Sequence, residues 1–151
     1  MIEREFGPFD SGAFRLDVSA PISDGESWQL GVFLAHALAE NKQTHGAYVS
    51  ENLRRHNGFE IHSVDGDEYF IGIARDRLPE DLRELVHFQL SDVVVGEFSN
   101  RICTYYRDLP NICPDLIYLD APNQFIAKGH VRGVTTAHLD RMPMAADLLA
   151  I

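Results

Sequence analysis

Three short apolar segments of the chain each stop at a carboxylate. Val64 gives way to Asp65, Leu85–Leu90 gives way to Ser91-Asp92, and the run Leu116-Ile117-Tyr118-Leu119 gives way to Asp120. Between the first two lies a stretch of helical period, Asp67 to Leu78, whose apolar positions Tyr69, Phe70, Ile73, Ala74 and Leu78 recur on one side and which Pro79 closes. Strand-length segments joined through such a helix constrain the fold more than any other feature here, because a crossover of that length returns the chain parallel to the strand it left. The expected class is α/β, a parallel sheet flanked by helices. Ligands of open parallel sheets bind outside the carboxyl ends of the strands, so the three acids are expected to meet at one crevice if their strands are neighbours. Taken singly, each aspartate also serves as an ordinary helix cap or turn residue.

The remaining chain is read around that pattern. Residues 1–22 form short apolar pieces punctuated by Gly7-Pro8, Ser11-Gly12 and Pro21, which suits a strand-and-turn arm. Residues 23–151 are read as the domain proper. Ser27 to Glu40 places Trp28, Leu30, Phe33, Leu34, Ala37 and Leu38 at helical spacings, with Ser27 as N-cap, and predicts a mostly buried helix that stops at Asn41-Lys42. Thr44 to Arg55 predicts a separate amphipathic helix ended by Asn57-Gly58. Phe59 to Val64 reads as a strand ending on Asp65, and Leu85 to Leu90 as a second. The continuously apolar 116–119 run reads as a strand buried on both faces. Met142 to Ile151 reads as a helix with Pro143 in its first turn.

The order HSVDGDEYFIGIARDRLP, VHFQLSDV and PDLIYLDAP (62–79, 86–93 and 114–122) resembles the second, third and fourth strands of class I S-adenosylmethionine-dependent methyltransferases of Rossmann-like fold, in particular bacterial small-molecule enzymes. The resemblance spans about Pro21 to Ile151. It implies that Asp65 holds the ribose hydroxyls of S-adenosylmethionine, that Ser91 and Asp92 meet the adenine, and that Asp120 faces the methyl donor and a small polar substrate. The family's glycine-rich loop corresponds to Ser23–Gly31, so Gly25 is the glycine expected beside the methionine part of the cofactor. Gly25 stands singly where a closely spaced pair is usual, with Glu26 and Trp28 nearby. The chain also ends at Ile151, inside the helix where such a fold would go on to a fifth strand. The expected sheet is therefore incomplete at the C-terminus: the sequence is a fragment, or the N-terminal arm or a partner, such as a second copy, covers the open edge.

The loop 123–142 is long for a connection and is expected to overhang the crevice. His138 or His130 there would serve as the general base for a hydroxyl acceptor, because imidazole titrates near neutral pH. Asp120 with Asp140 or His138 is a weaker candidate pair for a divalent cation. His62 and His87 fall on strands where facing each other is sterically open, but no HxH or HExxH spacing supports a site, so no metal is expected. Tyr105, Tyr106 and Phe125 offer stacking surfaces for an adenine, with simple burial as the plainer role.

Thirteen basic residues against 23 acidic ones, a net charge of −10, give no clustered cationic face, and nucleic acid is not an expected partner. The N-terminus has no apolar signal core and no stretch reaches membrane-spanning length, so a cytoplasmic protein with reduced Cys103 and Cys113 is expected. Two other function classes remain open: a non-enzymatic Rossmann-like module, and an NAD-dependent oxidoreductase, which the lack of a G-x-G-x-x-G loop disfavours.

Overall fold

The fold is taken from a computed structural model that describes residues 27–52, 58–119, 122–136 and 144–149. The N-terminal arm, Gly25, Asp120, His138 and Asp140 lie outside the described residues. The described chain is mixed α/β, with one parallel strand pair and one three-stranded sheet of mixed direction.

Helix α1 runs without a break over Ser27–Asn52, where two helices were expected. Asn41 and Lys42 interrupt the apolar stripe, but neither excludes helical backbone. Downstream polar side chains also bond within the helix: the Thr44 hydroxyl donates to the Glu40 carbonyl at 2.9 Å and Asn52 Nδ2 to the Tyr48 carbonyl at 3.0 Å. The helix is also less buried than its composition suggests. Ala35 is fully buried, Val32 and Ala39 are partly so, and Phe33 is exposed.

Strand β1 (Ile61–Asp65), helix α2 (Glu68–Arg77) and strand β2 (Val86–Leu90) form the expected crossover unit, with β1 and β2 paired in parallel. Asp67 caps α2 through its side chain, which accepts from the Tyr69 amide at 2.9 Å, and Glu68 places negative charge in the first turn. The Leu78 amide closes the helix on the Ala74 carbonyl, and Pro79 leads into a 3₁₀ turn, Glu80–Leu85. That turn places Leu82 and Leu85 against Leu78 and Ala35, and Ile61, Val86 and Phe88 pack on the same cluster. This is the core beneath the parallel pair.

Beyond β2 the structure departs from expectation. Val93–Phe98 (β3) and Arg101–Tyr106 (β4) form an antiparallel hairpin in a segment that showed no clear signal. Its two-residue turn, Ser99-Asn100, has both residues at positive φ (49° and 64°), the geometry that matches the twist of paired strands. A two-residue strand β5 (Met144–Ala145) then pairs in parallel with β4, followed by a 3₁₀ turn at Asp147–Leu149. The predicted C-terminal helix over 142–151 is thus replaced, across its described part, by a strand and a turn. The Tyr106 amide donates to the buried Asp147 carboxylate at 2.8 Å, and that bond holds the segment to β4.

The run 116–119 is not a strand. It is irregular and solvent-facing, with Leu116 60% and Tyr118 53% exposed, so the expected doubly buried strand is corrected to an exposed segment. No pairing partner reaches it among the described residues. Of the long loop, residues 122–136 are partly ordered by the sheet. Lys128 lies along the outer edge of β3, its amide donating to the Val93 carbonyl at 2.8 Å and its carbonyl accepting from the Val95 amide at 3.0 Å. Among the described residues no helix is long and apolar enough to cross a membrane.

Candidate functional site

Two of the three expected acids lie at the same end of the parallel pair. Parallel registry continues past the strand ends, where the Ser91 amide donates to the Asp65 carbonyl at 2.9 Å, so Asp65 and Ser91-Asp92 share one edge beside the start of α2. Gly66 makes this edge compact. A Cβ there would lie 2.8 Å from Val93 Cγ2 and 2.9 Å from Ile126 Cδ1. The 116–119 segment does not join them as a neighbouring strand, and no crevice of three strand ends forms among the described residues.

Each group at the edge has work inside the chain. Asp65 Oδ1 accepts from the Asp67 amide at 2.8 Å, an Asx turn that starts the α2 cap. Ser91 is buried, and its hydroxyl oxygen accepts from the Asp108 amide at 2.9 Å. The Asp92 carboxylate takes Arg107 at 2.7 Å on one oxygen and Lys128 at 2.5 Å on the other, while its carbonyl accepts from the Arg107 amide. Asp92 therefore knots the exit of β2 to the end of β4 and to the strip along β3. Its carboxyl is held below the usual range, first by the hydrogen bond from Lys128 and then by the charges of Lys128 and Arg107, which outweigh partial desolvation.

That direction sets a pH dependence. A carboxylate with a depressed folded pKa stabilises above its ordinary value of 3.8, and the contribution fades as pH falls through the lower folded value. Asp92→Asn is expected to lower the melting temperature at neutral pH and low salt, with the gap to the parent closing in acid. The gap should also narrow at about 1 M salt, where screening reaches about 3 Å. Melting curves at the two pH values and two salt concentrations check this; an undiminished gap in acid contradicts the assignment.

The aromatic candidates are occupied with packing or lie exposed. Tyr105 covers Gly96, where an added Cβ would run into its ring, and Phe125 faces solvent. Both cysteines are free thiols. Cys103 is buried in β4, where desolvation chiefly and the nearby Asp147 charge push its pKa up, so it is a poor nucleophile. His130 is exposed in the loop.

A second constellation, dismissed on sequence spacing, stands at the opposite end of the same strands. His62 and His87 are register partners, with ring centroids 4.9 Å apart. Glu60 Oε2 lies 3.3 Å from His62 Nε2 and 3.9 Å from His87 Nε2. The signal that would have found it is parity combined with register: Glu60 and His62 are two residues apart and so share a strand face, and parallel pairing sets His87 beside them. Compared with protein-family models, with curated proteins and with solved structures, the chain matches none of them.

Proposed function

We propose that the chain is a Rossmann-like module of the class I methyltransferase type whose Asp65 edge receives the ribose of S-adenosylmethionine, for O- or N-methyl transfer to a small polar molecule. The observation that carries this reading is the parallel β1–α2–β2 unit with an acid at the carboxyl end of each strand, the location where such sheets take nucleotides. Asp65 is half-buried at the mouth of a glycine turn, and a carboxylate there accepts from both hydroxyls of a diol. The chemistry asks little more of side chains. In-line displacement at a sulfonium carbon depends on alignment, with a base such as His138 or His130 when the acceptor is a hydroxyl.

A second reading is a non-enzymatic assembly or regulatory module of the same fold. It is favoured by the internal use of Ser91 and Asp92, whose oxygens hold the chain's own amide and cations. Calorimetry with S-adenosylmethionine and S-adenosylhomocysteine separates the two. Saturable binding weakened on the order of 10-fold or more by Asp65→Asn supports the first reading. Asparagine keeps the oxygen that the Asp67 amide needs and removes the charge, so the loss is not a turn defect. A folded chain that gives no heat at millimolar ligand supports the second, and heat with a nicotinamide dinucleotide instead would reassign the site to hydride transfer.

A further inference from the structure

Parity and register decide which groups crowd the amino-terminal end of the parallel pair. Ile61 and Val86 are partners, and both pack onto the Leu78–Leu82–Leu85 core. The next pair, His62 and His87, must therefore project from the other face, and Glu60, two residues before His62, shares that side. Nothing in the core needs these side chains. Their exposures are 22% for His62, 28% for Glu60 and 50% for His87, a partly sheltered cluster open on one side.

The donor set suits a metal better than a charge network. Among the described residues the Glu60 carboxylate is hydrogen-bonded to His62 and close to His87, and no lysine or arginine pairs with it. One ligand atom from each residue falls within 4.8 Å of the others. Four-coordinate zinc with bonds of about 2.0–2.2 Å separates its ligand atoms by about 3.3–3.5 Å at the tetrahedral angle. The two Glu60–imidazole spacings, 3.3 Å and 3.9 Å, lie at and somewhat above that edge, and all three ligand atoms lie within 4.8 Å of one another. Two imidazole nitrogens also disfavour magnesium and calcium, which take oxygen. Phe59 aims the third ligand: its φ of 67°, a left-handed conformation uncommon for an aromatic residue, turns the chain immediately before Glu60.

We infer that Glu60, His62 and His87 form a binding site for one zinc-class divalent transition-metal ion, with a fourth position left to water or an exchangeable ligand. The ion would tie β1 to β2 at the end away from Asp65, and the open position would make it a Lewis acid rather than a closed structural centre. The site does not depend on how the Asp65 edge is read.

The test uses the full chain, freed of metal by chelation and titrated with cobalt(II), whose visible absorption distinguishes four-coordinate from six-coordinate binding, followed by displacement with zinc. One equivalent with a four-coordinate spectrum is expected, together with a rise in melting temperature when zinc is added. His87→Ala is the decisive variant, because its side chain is half-exposed and its removal leaves the core intact. It is expected to weaken the metal on the order of 100-fold or more, and Glu60→Gln on the order of 10-fold or more. Circular dichroism of each variant verifies the fold. Unaltered one-equivalent binding in His87→Ala and His62→Ala would place the ion on other histidines and overturn the assignment. So would a six-coordinate spectrum, or no binding by the folded parent at micromolar metal.

Discussion

Leu82→Ala is expected to cost about 2–5 kcal/mol of unfolding free energy, a large share of the roughly 5–15 kcal/mol that ordinary domains possess. Leu82 is 2% exposed and is the largest fully buried side chain among the described residues. It sits in the 3₁₀ turn between α2 and β2, in one buried cluster with Ala35, Leu78 and Leu85 against which Ile61, Val86 and Phe88 of the strands pack. Truncation removes transfer energy and leaves a hole whose walls are a helix and a paired strand, neither able to collapse freely. Urea unfolding measures the loss. Leu90→Ala, at a residue 54% exposed on β2, is the control and is expected to stay within about 0.5 kcal/mol. A loss below 1 kcal/mol for Leu82→Ala would contradict the packing described.

Gly66→Ala is expected to destabilise by about 1–3 kcal/mol, although a methyl group is all that it adds. The new Cβ would meet Val93 Cγ2 at 2.8 Å and Ile126 Cδ1 at 2.9 Å. Ile126 is partly exposed and can swing aside, but Val93 is 2% exposed and β-branched, with little rotamer freedom to yield. The strain should therefore be specific to that pair. Val93→Ala makes room for the methyl group, so the double variant is expected to be more stable than the sum of the single losses predicts, with a coupling of about 0.5 kcal/mol or more in chemical denaturation. Strict additivity would show that β3 does not press on the turn after β1.

How far the sequence foretold this structure depends on the range of the interactions that form each element. The β1–α2–β2 unit was legible to within about two residues at each boundary because its signals are local: the acidic start at Asp67, the stripe from Tyr69 to Leu78, Pro79, and alternation in Val86–Leu90. The break expected at Asn41-Lys42 failed because polarity alone does not end a helix when no residue there excludes helical backbone. The β3–β4 hairpin escaped notice since Ser99-Asn100 is a weak turn dipeptide that becomes left-handed only through pairing. The 116–119 run misled in the other direction. Four apolar residues supply strand propensity, but a strand also needs a paired neighbour, and among the described residues none pairs with this run.

The candidate sites divide in the same way. The place of Asp65 at the end of β1 was readable because a single strand end announces it. The roles expected for Ser91 and Asp92 took no account of Asp108, Arg107 and Lys128, which lie 17, 15 and 36 residues away and reach them only in the folded chain. The Glu60–His62–His87 cluster was invisible to spacing rules because its second histidine arrives from another strand, and register is a property of the pair rather than of either segment.

The Asp92 knot also closes two loops of chain. Its two cations come from loops of unequal length, Arg107 from the hairpin immediately downstream and Lys128 from a further stretch of chain. Closing the longer loop directly from the unfolded chain adds only about 0.8 kcal/mol, as loop entropy rises with the logarithm of length. Pairing of β3 with β4 holds Val93 and Val95 in the extended backbone whose carbonyl and amide meet Lys128. One carboxylate thereby closes two loops of different length, a short one through Arg107 and a longer one through Lys128, and fastens the strip along β3 to the exit of β2.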